Sequence, residues 1–228
     1  MSAMSSVDWP GKLVATVFCQ GCPWACPYCH NHAIIDPRIP GVIAWSSVED
    51  LLARRHGLLD GVVFSGGEAT RQLALIPAAQ TVKAAGFSVG LHTAGPYPSR
   101  LRDLYDADLL DWVGLDIKAL PGKNYEIVAG RANAGDKAWE SLQVVLDHPD
   151  VDYEVRLTIY PDVPQYAYEV ARCCREKGVK CFALQQARPQ GAPAGFDSGT
   201  AAWDDQVQAL ARDIDALGFA HFSFRPST

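Results

Sequence analysis

Residues 18–32 read FCQGCPWACPYCHNH and contain four of the seven cysteines of the chain. Three of these, Cys22, Cys26 and Cys29, follow the spacing C-x3-C-x2-C, with Tyr28 directly before the last one. Three thiols this close together cannot all pair off as disulfides, but they can bind one small inorganic centre, and an iron–sulfur cluster is held by such thiolates. A four-iron cluster with three cysteine ligands keeps one iron open for a substrate or a cofactor.

A zinc site formed by all four cysteines, with Cys19 as the fourth ligand, is the alternative. Structural zinc sites usually combine one C-x2-C pair with a second pair some distance along the chain. Only three residues separate Cys22 from Cys26, which is cramped for two facing pairs, and this favours the cluster. Because the motif is complete without Cys19, we expect Cys19 to pack as a small buried side chain.

The composition is typical of a globular protein of the cell interior. A length of 228 residues fits one sizeable α/β domain over residues 1–228. An odd number of cysteines argues against a secreted disulfide framework. The sequence has no apolar run of membrane-spanning length and no signal sequence at its start, so we expect a cytoplasmic protein without a membrane partner. The net charge of −6 provides no basic face for nucleic acid.

Short apolar strands alternate with amphipathic helices along the chain. This alternation predicts a parallel sheet with right-handed crossovers and outer helices. Six such units are too few for a closed eight-stranded barrel, so we predict an open, partial (βα)6 barrel. The predicted strands are 12–18, 61–64, 87–93, 112–118, 153–159 and 180–184, with a candidate strand at 219–224, and the predicted helices are 46–57, 72–85, 99–106, 137–146, 165–177 and 203–217.

A glycine pair follows the second predicted strand, in the sequence Ser65-Gly66-Gly67-Glu68. In such sheets the functional site lies beyond the carboxyl ends of the strands. Two glycines allow a turn so tight that backbone carbonyls approach a ligand, with a carboxylate beside them. A cationic amino group suits such a pocket. A plain turn between a strand and a helix is the alternative.

Charged and polar residues also end the later predicted strands. Asp116 and Lys118 lie on the same side of the fourth strand, where a local ion pair is the alternative to a role in the site. Arg156 lies in the middle of the fifth strand and either points to the pocket or pairs with an acidic neighbour. Gln185 and Gln186 end the sixth strand.

The sequence resembles the radical S-adenosylmethionine (radical SAM) superfamily. Within it, the resemblance is to activating proteins of glycyl radical enzymes, above all those of anaerobic ribonucleoside-triphosphate reductase. It rests on five segments: VDWPGKLVATVFCQGCPWACPYCHN (7–31), SGGEATRQ (65–72), GLHTAGPYP (90–98), WVGLDIKAL (112–120) and YEVRLTIYP (153–161).

The resemblance implies two cofactors, a [4Fe–4S] cluster and S-adenosylmethionine. The cluster is expected on Cys22, Cys26 and Cys29. His92 stands where the family often has an acidic residue beside a monovalent cation. The resemblance therefore does not decide whether this chain has that cation site. The residues expected to contact S-adenosylmethionine are Tyr28, Ser65, Gly66, Gly67, Glu68, Thr93, Asp116, Lys118, Arg156 and Gln186.

The implied reaction is the reductive cleavage of S-adenosylmethionine to methionine and a 5′-deoxyadenosyl radical, which abstracts hydrogen from a glycine of a partner enzyme. The cofactors carry this chemistry, and the protein orients them. The resemblance also implies a low-potential electron donor such as flavodoxin or ferredoxin. Two alternatives stay open: a radical SAM enzyme that acts on a small molecule, and a metal-binding module without catalysis.

Three further cysteines lie outside the motif. Cys173 and Cys174 are adjacent on a predicted helix and therefore point about 100° apart, which is a poor arrangement for one metal centre. Cys181 starts a predicted strand. We expect these three residues to be buried thiols and not ligands of a second cluster.

Overall fold

The computed structural model describes residues 1–161 and 164–227. In this part of the chain the strands form one sheet of eight, and each strand lies beside the next one in chain order. The strands are β1 (Ser2–Ser5), β2 (Val14–Cys19), β3 (Gly61–Gly66), β4 (Ser88–Thr93), β5 (Trp112–Asp116), β6 (Asp152–Ile159), β7 (Cys181–Gln186) and β8 (His221–Arg225).

Helices connect the strands from β2 onwards. None of the helices in the described residues is long and apolar enough to cross a membrane. The α-helices are α1 (Trp45–Ala53), α2 (Leu75–Ala84), α3 (Pro98–Asp106), α4 (Lys123–Ala129), α5 (Ala134–Leu146), α6 (Pro164–Glu176) and α7 (Ala201–Asp215), and two short 3-10 helices span His32–Ile34 and Ala69–Arg71.

The order of the strands never reverses. The strand pairs from β2 to β8 are parallel, and only β1 runs antiparallel to its neighbour β2. Because right-handed crossovers that always step in one direction place their helices on one face, the other face becomes the interior of an open barrel. The predicted α/β class and partial barrel are therefore confirmed. The candidate strand at 219–224 is present as β8, so seven strands are parallel.

One strand and one α-helix were not predicted from the sequence. Strand β1 reads SAMS, which has no alternating apolar pattern, and it is a strand because it pairs with β2. Helix α4 has only seven residues and ends at Gly130, whose positive φ of 64° closes the helix in the left-handed conformation that glycine adopts readily. Both elements are too short for a periodic signal.

The main core lies between the sheet and the helices. Alternate residues of the central strands, such as Val113 and Leu115 of β5, are fully buried there against Leu142 of α5. Burial of apolar surface contributes about 25 cal/mol per Å². The strand residues that alternate with these buried ones point to the barrel interior, because side chains alternate across a strand.

The N-terminal segment contributes a side chain to the barrel interior. Trp9 stacks on Trp112 with ring centroids 5.6 Å apart and packs on Val14 and Val63. A Cβ on Gly90 would lie only 2.8 Å from the Trp9 ring, so this glycine makes room for the indole. The interior is thus apolar near the amino ends of β2–β5, and its polar residues lie closer to the carboxyl ends.

Candidate functional site

One cavity lies at the carboxyl ends of the parallel strands, where the cysteine loop meets the ends of β3–β7. It brings together the three motif cysteines and every predicted cofactor contact except Glu68 and Gln186. The cavity is lined by Cys22, Trp24, Cys26, Tyr28, Cys29, His30, Asn31, Ser65, Gly66, Gly67, His92, Thr93, Ala94, Asp116, Lys118, Arg156, Thr158 and Gln185.

Backbone hydrogen bonds hold the cysteine loop in place. The Cys22 N–H donates to the Ile35 carbonyl at 2.9 Å, and the Cys29 N–H donates to the Cys26 carbonyl at 3.2 Å. The Ala25 N–H donates to the last residue of α4 at 2.9 Å. The loop therefore keeps its shape through its backbone, which leaves the thiol groups free to bind a ligand.

The three motif thiols are held as neutral groups by burial. Burial raises the pKa of Cys22 to about 12. Burial also raises the pKa values of Cys26 and Cys29, although the Lys118 ammonium partly offsets both shifts. A bound cationic metal centre supplies the positive charge that converts such thiols to thiolates. The donor set thus fits an iron–sulfur cluster, which Cys22, Cys26 and Cys29 would hold through their thiolates.

The four cysteines outside the motif do not line the cavity. In the described residues all seven cysteines are free, and no group of three His, Cys, Asp or Glu side chains is arranged to hold a single metal ion. Cys19 does not line the cavity, packs against the main core, and has its pKa raised to about 12 by burial. Cys174 is fully buried, whereas Cys173 and Cys181 are partly buried.

The glycine pair touches the cysteine loop backbone to backbone. The Gly67 N–H donates to the Cys19 carbonyl and the Glu68 N–H to the Gly21 carbonyl, both at 2.9 Å. Gly66 has a φ of 106°, and a Cβ there would lie 2.4 Å from the Cys19 nitrogen. A Cβ on Gly67 would lie 2.4 Å from the Gly21 oxygen. Only glycine fits at either position, so the pair fixes the distance between the two loops.

Gly67→Ala is expected to remove most of the cluster from the purified protein, because the new methyl group forces the cysteine loop away from the strand. Overpacking of this kind costs about 1–3 kcal/mol. The measurement is iron content per chain after anaerobic reconstitution. Gly41→Ala is the matched control, since a Cβ on Gly41 meets nothing within 4 Å. Equal iron content in the two variants would contradict the role of the close approach.

Glu68 connects the ends of β3 and β4 and does not line the cavity. Its buried carboxylate accepts hydrogen bonds from the Thr70 N–H (3.1 Å) and hydroxyl (2.5 Å), the Thr93 hydroxyl (2.7 Å) and the Ala94 N–H (3.0 Å). Burial raises the pKa of this carboxyl, and the donated hydrogen bonds oppose the rise. The expected direct contact of Glu68 with a cofactor stays a prediction. Glu68 holds Thr93, which does line the cavity.

Asp116, Lys118 and Tyr28 form one group at the end of β5. The Lys118 nitrogen lies 3.7 Å from the Asp116 carboxylate and donates to the Tyr28 hydroxyl at 3.3 Å. Burial lowers the pKa of Lys118, but Tyr28, Cys26 and Asp116 together raise it well above its usual value. Asp116 and Lys118 thus form a local ion pair and also line the cavity. A buried cation lies beside the cysteine loop.

Arg156 points into the barrel interior. It both lines the cavity and pairs with an acidic neighbour, which were the two alternatives drawn from the sequence. Its Nε donates to Glu154 at 2.8 Å, and its guanidinium carbon lies 5.1 Å from the centre of the Trp112 ring. The same side chain lines the cavity. A Cβ on Gly114 would lie 2.8 Å from the Arg156 guanidinium carbon, so the glycine leaves the space that the arginine fills.

The two glutamines at the end of β7 point to opposite faces of the sheet. Gln186 donates to Asp204 of α7 at 2.5 Å and faces the helices, away from the cavity. Gln185 lines the cavity and donates to Thr158 at 3.1 Å. Alternation across the strand explains the difference between the two side chains, because neighbouring residues point to opposite faces. The expected contact of Gln186 with S-adenosylmethionine stays a prediction. The same alternation, counted two residues on from Arg156, identifies Thr158, which sequence reasoning missed.

The residues around the motif cysteines also contribute to the cavity. The Asn31 amide donates to the Gly66 carbonyl at 2.7 Å and so joins the cysteine loop to the glycine pair. The Arg188 N–H donates to Nε2 of His30 at 3.1 Å. Trp24 lines the cavity, although its sequence position carries no signal for this role.

Sequence comparison identifies relatives over most of the chain. Residues 16–184 match the radical SAM superfamily. A putative glycyl-radical enzyme activating enzyme of Methanocaldococcus jannaschii is 31% identical over 196 residues, which are 83% of this chain and 79% of the relative. A pyruvate formate-lyase-activating enzyme of Clostridium pasteurianum is 29% identical over 167 residues, which are 71% of this chain and 67% of the relative.

Solved structures share the fold at low sequence identity. A radical SAM methyltransferase from Sphaerobacter thermophilus superposes with a TM-score of 0.71 at 16% identity and covers 96% of this chain and 67% of that chain. SuiB of Streptococcus suis bound to S-adenosylmethionine gives a TM-score of 0.68 at 12% identity over 94% of this chain. This chain spans half the length of SuiB. From the family match and the archaeal relative, we conclude that this chain belongs to the radical SAM superfamily and is an enzyme whose cofactors are a [4Fe–4S] cluster and S-adenosylmethionine.

Proposed function

We propose that this enzyme activates a glycyl radical enzyme, and that its protein substrate is anaerobic ribonucleoside-triphosphate reductase. The observation that carries the proposal is the 31% identity, over 83% of this chain, with a relative described as a glycyl-radical enzyme activating enzyme. The choice of the reductase rests on the sequence resemblance of the cysteine segment and of the four segments that follow it.

In this proposal Cys22, Cys26 and Cys29 hold the cluster from one wall of the cavity. When bound, the cluster would supply the electron for the reductive cleavage of S-adenosylmethionine, and the partner's glycine would supply the hydrogen atom that the adenosyl product takes up. Because reduced clusters of this kind require a low potential, the electron donor is a low-potential protein such as flavodoxin or ferredoxin.

The strand ends orient the second cofactor. Ser65, Gly66 and Gly67 offer oxygen acceptors to the ammonium group of S-adenosylmethionine, and Thr93 lies beside them on β4. The further contacts proposed from the sequence are Tyr28, Glu68, Asp116, Lys118, Arg156 and Gln186. All of these line the cavity except Glu68 and Gln186, and Gln185 lines it beside them.

A glycine in an extended protein loop is a substrate that such a cavity can accept. The cavity lies at the end of an open sheet whose edge strands, β1 and β8, are not paired with each other within the described residues. Glycine has no side chain, so its backbone can approach closely and present its α-hydrogen. Loss of that hydrogen atom to the adenosyl product would leave the radical on the glycine.

The test is electron paramagnetic resonance of an anaerobic mixture. Reduced enzyme, S-adenosylmethionine and anaerobic ribonucleotide reductase are expected to give the doublet spectrum of a glycyl radical. The control is a reductase in which the radical-bearing glycine is replaced by alanine, and this mixture should give no doublet.

The remaining outcomes distinguish an error in the choice of partner enzyme from an error in the activating function. A doublet with pyruvate formate-lyase but not with the reductase would overturn the partner and keep the activating function. If 5′-deoxyadenosine forms at one slow rate with or without every glycyl radical enzyme of the host, and no doublet appears, the activating function is wrong. A small-molecule substrate is then the better hypothesis.

A further inference from the structure

His92 connects the N-terminal segment to the wall of the cofactor cavity. It lies on the inner face of β4, and its Nε2 is 2.7 Å from the backbone carbonyl oxygen of Asp8. Its Nδ1 is 3.1 Å from the hydroxyl oxygen of Ser65. The Trp112 ring packs edge-on against the imidazole with centroids 5.4 Å apart. Both ring nitrogens are thus engaged.

The two partners determine where the imidazole proton lies. A backbone carbonyl can only accept a hydrogen bond, so Nε2 of His92 must carry the hydrogen. In a neutral imidazole the other nitrogen, Nδ1, is then an acceptor. The hydroxyl of Ser65 can donate or accept, and it must donate to Nδ1. Its one hydrogen is used there, so the oxygen of Ser65 has only lone pairs to offer to the cavity.

We propose that His92 is a positioning residue that, by receiving the Ser65 hydroxyl hydrogen, presents the Ser65 oxygen to the cavity as an acceptor for the ammonium group of S-adenosylmethionine. The inference rests on the proposed contact between Ser65 and this cofactor. It adds a residue that acts on the cofactor through another side chain. Without His92, the hydroxyl hydrogen of Ser65 could point into the cavity and oppose the ammonium group.

Surrounding groups support a neutral imidazole. Burial and the nearby Arg156 and Arg225 guanidinium groups hold the pKa of His92 well below its usual value, although the hydrogen bond to Asp8 opposes this shift. The Asp8 carboxylate is itself fixed, because it accepts the Thr16 hydroxyl hydrogen at 2.6 Å. The carbonyl that selects the tautomer therefore belongs to an anchored residue.

A double-mutant cycle on cofactor affinity tests this inference. The variants are Ser65→Ala, His92→Phe and the pair, and the measurement is the dissociation constant of S-adenosylmethionine by anaerobic calorimetry at equal iron content. Each single change is expected to weaken binding about tenfold, because a hydrogen bond to a charged group is lost or misdirected. In the Ser65→Ala background, His92→Phe should add almost nothing. His92→Gln should restore part of the affinity, since one amide can donate to Asp8 and accept from Ser65.

Two results would overturn the inference. One is additive losses in the cycle, which indicate that His92 acts on the fold and not through Ser65. The other is unchanged affinity in His92→Phe. The wild-type protein gives an independent test by nitrogen-15 NMR of labelled histidine with the cluster oxidised. The expected signal is a neutral ring protonated at Nε2, and an Nδ1-protonated or doubly protonated ring would contradict the proposal. These measurements need no partner protein, so they stand apart from the glycyl radical experiment.

Discussion

Replacement of Cys22, Cys26 or Cys29 by alanine is expected to abolish both the cluster and the cleavage of S-adenosylmethionine, whereas Cys19→Ala should retain both. The three motif cysteines line the cavity, and Cys19 packs against the main core outside it. Each motif substitution removes one of only three protein ligands. Cys19→Ala removes a small apolar group, which costs stability without removing a ligand.

The measurements are iron and sulfide per chain and 5′-deoxyadenosine formed under reducing anaerobic conditions. The wild-type protein should be brown, with iron and sulfide in near-equal amounts. Cys174→Ala is the matched control, because this thiol is also buried but lies on α6, outside the cavity. Loss of the cluster in Cys19→Ala alone, or a colourless wild-type protein with stoichiometric zinc, would reverse the assignment.

The fold and the place of the site could be predicted from the sequence because both depend on local patterns. The apolar runs of the parallel strands are continuous, and the polar residues that follow them gather where parallel strands end. The cysteine spacing is local as well. Strand β1 and helix α4 could not be predicted, because β1 forms only by pairing with β2 and α4 has seven residues.

The individual side chains of the site were harder to predict, since their orientation depends on tertiary neighbours. Nothing in the sequence shows that Glu68 meets donors from Thr93 and Ala94, which come near it only because β3 and β4 are adjacent. Which of Gln185 and Gln186 faces the cavity depends on which residues of β7 point to the inner face of the sheet. A shift of one residue reverses every side chain in a strand.

The second large effect is expected for Glu154→Ala, which should destabilise the protein by about 3 kcal/mol, near the lower end of the range for breaking a buried ion pair. Glu154 is 8% exposed and accepts from Arg156 at 2.8 Å and from Arg225 at 2.9 and 2.7 Å. Its removal leaves two guanidinium groups in the barrel interior without a counter-charge. The Arg225 side chain is 34% exposed, so water partly compensates it, and the buried Arg156 carries most of the cost.

The measurement is the midpoint of urea unfolding under anaerobic conditions, with Glu169→Ala as the matched control. Glu169 also pairs with an arginine, at 2.8 Å, but on the surface of α6, where such a pair contributes less than about 1 kcal/mol. Glu154→Gln should lie between the two, because an amide oxygen still accepts from one arginine. Equal midpoints for Glu154→Ala and Glu169→Ala would show that the interior is hydrated enough to hold both arginines unpaired. Because Arg156 also lines the cofactor cavity, the expected loss of stability in Glu154→Ala should come with weaker binding of S-adenosylmethionine, whereas the surface variant should bind it as the wild type does.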